Sequence, residues 1–166
     1  LRALEHRDAL RTALERGDID IVGTDHCAFD HAQKARGRDD FTRIPNGVAG
    51  VEYRLALLHT LMVVPGRMTP AGWVRTVAAA PARALGLYPR KGSLEPGADA
   101  DLVLWNPEAA GTIRAATSQH PADHTVYEGT AVTVRAERVW SAGEEVAAGG
   151  RCWAQPRRGR YLGTGL

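Results

Sequence analysis

A short apolar run that ends at a carboxylate is the feature that most constrains this chain. Residues 19–23 have the length and composition of a strand, and Asp25 follows them. Apolar residues at helical spacing between Leu1 and Leu14 predict an amphipathic helix just before the run, with Gly17 as its end. A helix followed directly by a strand is typical of α/β proteins, in which ligands bind outside the carboxyl ends of the strands. The pattern therefore predicts that Asp25 lies at the rim of a site.

A long polar segment follows this carboxylate. Residues 26–47 carry mixed charge without an apolar period, which predicts a loop of 22 residues. Structureless loops of that length are either functional or disordered. Near its end, Asn46 lies between a proline and a glycine, so it is either a simple turn residue or a backbone contact for a ligand. The basic residues within the loop are expected to be solvated: Lys34, Arg36 and Arg38.

The rest of the chain changes from helical to strand-like patterns near Pro89. Helices are predicted over residues 51–64, from the Thr69 cap onward, and over residues 81–85. Short strands are predicted over residues 101–105, 130–135 and 138–141, with a hairpin turn at 142–145. The predicted organisation is a helix-rich part over residues 1–88, a strand-rich part over 89–150 and a basic tail over 151–166.

Composition excludes several classes of function. The net charge of +2, from 21 basic and 19 acidic residues, does not indicate a nucleic-acid or membrane partner. The two cysteines, Cys27 and Cys152, have no metal-binding spacing and fit a reducing, cytoplasmic setting. No run approaches the roughly 18 apolar residues of a membrane span. Because the sequence begins at Leu1 and not at Met, the natural start is expected upstream.

Three blocks of sequence carry a resemblance to a known family. Residues 24–53 read TDHCAFDHAQKARGRDDFTRIPNGVAGVEY, residues 86–107 read GLYPRKGSLEPGADADLVLWNP, and residues 118–129 read SQHPADHTVYEG. Together, and in this order, they resemble the C-terminal third of the dihydropyrimidinase and hydantoinase family of cyclic amidohydrolases. The first block is the most specific, whereas the second is similar to amidohydrolases in general.

The resemblance implies an α/β fold and a metal centre. Residues 1–88 would be the last helix and strand units of a TIM-like (β/α)8 barrel, and residues 89–150 would be part of a small β-sandwich. Two divalent metal ions, usually zinc, would be held by four histidines, a carboxylated lysine and Asp25. Those histidines and the lysine would lie upstream of Leu1. Asn46 would bind the substrate ring, and the family also implies a homotetramer.

The implied activity is hydrolysis of a cyclic amide bond in a dihydropyrimidine or hydantoin, with a small cyclic ureide or imide as substrate. On this reading Asp25 also accepts a proton and passes it to the departing ring nitrogen. One aspartate cannot hold two metal ions, so the chain alone is expected to be inactive. The alternatives are a non-catalytic relative, such as the collapsin response mediator proteins, and a decayed gene fragment. The presence of both Asp25 and Asn46 favours an enzyme.

The remaining candidate residues are expected to be structural. His26 follows Asp25 directly, so in a strand it would point to the opposite face. Cys27 lies next to the candidate site in the sequence, but no base is placed to activate it, so it is expected to be a packed thiol. Four further histidines show no ligand spacing with one another and are expected at the surface or at subunit contacts: His31, His59, His120 and His124. Trp105 and Trp140 are expected to pack within strands.

Overall fold

A computed structural model describes residues 3–163. Its first helix, α1 (Leu4–Arg16), ends at Gly17, which has a φ of 81°. The backbone N–H of Gly17 donates to the carbonyls of Ala13 and Leu14, so the predicted helix and its glycine end are confirmed, except at Leu1, which lies outside the described residues. The strand predicted over residues 19–23 does not form within this chain, because these residues form no ladder with any other described residue. An extended segment needs a neighbouring strand before it forms a sheet.

The predicted loop over residues 26–47 contains short helices, so the expectation of a structureless loop is wrong. Helix α2 (His31–Ala35) is followed by a 3₁₀ turn at Phe41–Arg43. Asp30 begins α2 with a capping box, in which its side chain accepts from Gln33 N–H at 2.6 Å and its own N–H donates to the Gln33 side chain at 2.8 Å. Local capping of this kind gives a polar segment a defined shape without a large apolar core.

Two helices joined by a tight turn make up residues 54–84, called here the helical hairpin. The first runs through α3 (Arg54–Leu58) and a π turn at His59–Val63. The second runs through α4 (Pro70–Val74), a π turn at Arg75–Ala79 and α5 (Ala80–Ala84). Thr69 caps it as predicted, because its side chain accepts from Gly72 N–H. The helix predicted over residues 81–85 is confirmed as α5 to within one residue. It continues directly from the π turn at Arg75–Ala79, which lets the helix pass through Pro81, a residue with no N–H to donate.

Six short strands follow the hairpin. They are β1 (Leu102–Asn106), β2 (Gly111–Thr112), β3 (Ala131–Val132), β4 (Arg135–Ser141), β5 (Glu144–Ala148) and β6 (Arg151–Cys152). One antiparallel sheet has the order β1-β4-β5-β6, and a second pairs β2 with β3. The predicted hairpin turn is confirmed at Ala142 and Gly143, whose φ values of 50° and 83° suit a tight turn between twisted strands. The basic tail therefore begins with the short strand β6, and its residues 164–166 lie outside the described residues.

The buried interior joins the helices to the strands. Tyr53, Leu57 and Ile113 form a buried cluster, with Tyr127 and Val132 packed against it. Trp73 of the helical hairpin also meets Trp105 of β1, with ring centroids 5.3 Å apart. Helix α3 is thereby fixed in place, and the segment just before it is the one that carries Asp25 and Asn46. Within residues 3–163, no helix combines the length and the apolar character that a membrane span requires.

Candidate active-site segment

Asp25 has an unusual backbone conformation. Its φ of 44° is positive, which is uncommon for residues other than glycine, although aspartate tolerates it better than most. Its side chain is exposed in the described part of the chain. Backbone strain of this kind concentrates at sites where a side chain must be aimed. The sequence alone did not predict this backbone conformation of Asp25.

Asn46 lies in a bend that is held from both sides. The ammonium group of Lys34 donates to the carbonyl of Pro45 at 2.8 Å and to the carbonyl of Gly47 at 3.0 Å. These bonds hold the carbonyl groups of the two residues on either side of Asn46, whose own side chain is exposed. The expectation that Lys34 is merely solvated is wrong, because its charge is used to hold the bend.

The two ends of the loop meet at Gly47. Cys27 N–H donates to the Val48 carbonyl at 3.2 Å, which closes the loop. A Cβ placed on Gly47 would lie 2.5 Å from Cys27 Cβ and 2.6 Å from the Cys27 carbonyl oxygen. With a φ of 127°, Gly47 is thus required both by its backbone and by this close approach. Cys27 is exposed, so the expectation of a packed thiol is wrong.

His26 fixes the loop to the following helix. Its Nδ1 accepts hydrogen bonds from the N–H groups of Gly50 at 3.0 Å and Val51 at 3.2 Å. These N–H groups lie just before α3, where helical donors lack partners within the helix. The Arg54 guanidinium reinforces the join by donating to the Val22 carbonyl at 2.9 Å. His26 therefore has the structural contacts that its position after Asp25 led us to expect.

These contacts make residues 19–50 one closed unit, called here the site segment. Asp25 lies on its incoming arm and Asn46 on its returning arm, and both side chains are exposed. The arms are joined by the Cys27 to Val48 bond and by His26. Within residues 3–163, the one group of three side chains able to hold a metal ion does not include Asp25. The described residues therefore offer a single carboxylate at this position.

The third resembling block packs against the site segment and against the residues that directly follow it. The sequence alone did not predict this packing. Tyr53 Oη bonds to Ser118 Oγ and, at 2.8 Å, to His120 Nε2. The carboxylate of Glu52 accepts from Gln119 N–H at 2.9 Å. Farther along, His31 N–H donates to the Asp123 carboxylate at 3.0 Å. Sequence separations of 65 to 92 residues leave no local signal for these contacts.

Comparison with known proteins gives a consistent result. The sequence model of the Amidohydrolase family matches residues 1–146. The D-hydantoinase of Streptomyces coelicolor is 48% identical over 147 residues, covering 88% of this chain and 31% of that protein. The dihydropyrimidinase of Arabidopsis thaliana is 38% identical over 162 residues, covering 98% of this chain and 30% of that protein.

Solved structures agree with the sequence relatives. A D-hydantoinase (dihydropyrimidinase) from Thermus sp. has a TM-score of 0.93 at 38% identity, with 96% of this chain and 35% of that one covered. The L-hydantoinase from Arthrobacter aurescens has a TM-score of 0.84 at 29% identity, with 93% and 34% covered. This chain thus spans about a third of the length of the relatives that it matches. The resemblance drawn from the three blocks is confirmed, and the chain belongs to the amidohydrolase family.

Proposed function

We propose that the protein containing this chain hydrolyses the cyclic amide bond of dihydropyrimidines or hydantoins. The observation that carries this proposal is the similarity, in both sequence and structure, to D-hydantoinases and dihydropyrimidinases over nearly the whole chain. The substrate is then a small cyclic ureide or imide, and the assembly is a homotetramer. A non-catalytic relative would have no need for an exposed carboxylate on a strained backbone, so Asp25 favours the enzyme.

In this proposal residues 1–88 are the last helix and strand units of a (β/α)8 barrel, and residues 89–150 are part of a β-sandwich. Residues 19–23 become the final barrel strand once neighbouring strands pair with them. Exposed apolar side chains on α1 support this view, since Leu4 and Leu10 are each more than half exposed in the described chain. Exposed apolar side chains that lie close together are typical of a surface that further residues cover.

Asp25 is proposed as a metal ligand and as the proton carrier. A carboxylate oxygen is a suitable ligand for zinc, so the residue present fits one position of a two-zinc centre. The other proposed ligands, four histidines and a carboxylated lysine, belong to the part of the protein outside this chain. When bound, the metal ions supply Lewis acidity at the amide carbonyl. Asp25 accepts a proton on a carboxylate oxygen and returns it to the departing ring nitrogen.

Asn46 is proposed to orient the substrate ring. Lys34 occupies the carbonyls of Pro45 and Gly47, so the backbone N–H and C=O of Asn46 remain to pair with the ring of a cyclic ureide. The close packing of Gly47 on Cys27 fixes this peptide relative to the arm that carries Asp25. The site segment thus holds a proton carrier and a ring-binding group in one rigid unit.

The test of this proposal is the Asp25→Ala variant of the complete protein. We expect a loss of at least about 10²–10⁴-fold in turnover of dihydrouracil or hydantoin, because that is the usual contribution of a positioned acid or base. Asp20→Ala, which removes an exposed carboxylate five residues earlier, is the matched control and should keep its rate. Turnover by Asp25→Ala at the unaltered rate contradicts the assignment of Asp25.

The 166-residue chain alone is expected to show no turnover when zinc is added, since Asp25 alone cannot hold the two metal ions of the proposed centre. Turnover by the chain alone above the zinc-only background contradicts this expectation.

A further inference from the structure

Three side chains from two distant parts of the sequence meet at the start of α2. The ligand atoms of His31, Asp123 and His124 all lie within 4.8 Å of one another. The backbone N–H of His31 and the Nδ1 of His124 both hydrogen-bond to Oδ1 of Asp123, at 3.0 Å and 2.9 Å. The two imidazole rings stack with their centroids 4.1 Å apart. These three residues are called the histidine cluster.

The hydrogen bonds leave suitable lone pairs free. Asp123 accepts both of these bonds through its side chain, as an ionised carboxylate does. A charged carboxylate only accepts, so Nδ1 of His124 is the donor and the lone pair of the neutral ring is on Nε2. Both bonds end on Oδ1, which leaves Oδ2 of Asp123 to face an ion. A carboxylate that fixes the tautomer of a histidine is a common support of metal-binding imidazoles.

We propose that the histidine cluster binds one divalent transition-metal ion, of the type represented by zinc or nickel. Two imidazoles and one carboxylate, with a fourth position open to water, are a donor set that such ions prefer. Zinc bonds of about 2.0–2.2 Å place ligand atoms roughly 3.3 Å apart, so the rings must turn inward from their stacked arrangement. His31 and Asp123 are exposed and His124 is half-buried, which leaves room for that rotation.

A bound ion would connect two distant parts of the chain. His31 is the first residue of α2 within the site segment, whereas Asp123 and His124 follow 92 residues later in the third resembling block. The ion would add a cross-link between the site segment and that block, beyond the backbone bond already present. This binding uses none of the groups proposed for catalysis, so it stands whether or not Asp25 is a ligand.

The test is titration of the 166-residue chain with zinc alone, followed by calorimetry and by thermal unfolding. We expect one ion per chain and a rise in Tm on zinc addition. His31→Gln and His124→Gln should each weaken binding at least about tenfold and remove the rise in Tm. His6→Gln removes an exposed histidine of α1 and should change neither result.

Several outcomes would overturn the proposal. They are the absence of binding by the unaltered chain, binding that survives both cluster variants, and equal binding in a denaturing concentration of urea. Because the readout is metal binding and not turnover, failure here leaves the proposed hydrolase activity intact, and loss of that activity leaves this site intact.

Discussion

The site segment and the helical hairpin are stabilised in opposite ways. The residues that the site segment buries are small: Gly37, Ala49 and Gly50. The hairpin buries large side chains, among them Leu57, Met62 and Trp73. The site segment is held by polar bonds such as those of His26 and Lys34, and by close backbone approach.

This difference predicts opposite sensitivities. A segment packed through glycine cannot accept added atoms, whereas a helix pair packed through large side chains cannot lose them. Where we propose that the chain carries chemistry, it has little apolar packing and relies on shape and hydrogen bonds. Where it provides support, it depends on buried apolar area.

Removal of atoms from the hairpin should have the largest effect. Met62 is 1% exposed, so Met62→Ala should lower the free energy of unfolding by about 2–5 kcal/mol through lost contacts and a cavity. Urea denaturation of the chain followed by tryptophan fluorescence measures this. Leu61→Ala, at a neighbouring position that is 40% exposed, is the control and should cost far less. Equal losses in the two variants would remove the proposed contrast in packing.

Addition of one methyl group to the site segment should have the next largest effect. In Gly47→Ala the new Cβ meets the Cys27 carbonyl, and the positive φ adds strain of about 1–3 kcal/mol. We expect at least a tenfold fall in kcat/KM of the complete protein, because the Asn46 peptide must shift. Gly23→Ala, where a Cβ meets nothing within 4 Å, should keep its activity. A Gly47→Ala variant with an unchanged kcat/KM would show that the closed loop is not needed.

Removal of the Lys34 ammonium should have a smaller effect on the same bend. Lys34→Met keeps the aliphatic stem but loses two charge-assisted hydrogen bonds to carbonyls. At this half-buried position we expect the free energy of unfolding to fall by about 1–2 kcal/mol. We expect KM to rise about tenfold with a smaller change in kcat, since the backbone of Asn46, which we propose binds the substrate ring, becomes more mobile. Arg36→Met, an exposed position two residues later, is the control. A change confined to kcat would point to a role for Lys34 other than holding Asn46.

Local signals in the sequence predicted part of this architecture. Gly17 ends α1 and Thr69 caps α4 as expected, because each acts within one turn of its own helix. The strand predicted over residues 19–23 has no partner among the described residues, since sheets depend on partners that are distant in sequence. Asp25 and Asn46 were singled out by their local positions, but their roles came from the family resemblance and remain predictions. The histidine cluster depends on a contact spanning 92 residues, which no spacing rule reveals.

The smallest expected effect concerns pH and belongs to the hairpin. Burial lowers the pKa of His59, which lies between Trp73 and Thr133, so the folded chain favours its neutral form. As the pH falls below the ordinary histidine pKa of about 6.5, the unfolded chain binds the proton first and the free energy of unfolding decreases. His59→Gln is neutral at every pH, so it should lose less stability between about pH 7.5 and pH 5 than the unaltered chain does. Urea denaturation at the two pH values measures this, with His6→Gln on the exposed face of α1 as the control. An unaltered pH dependence in His59→Gln would show that the acid sensitivity arises outside the hairpin. The two regions would then still differ in their buried apolar packing, but not in their response to acid.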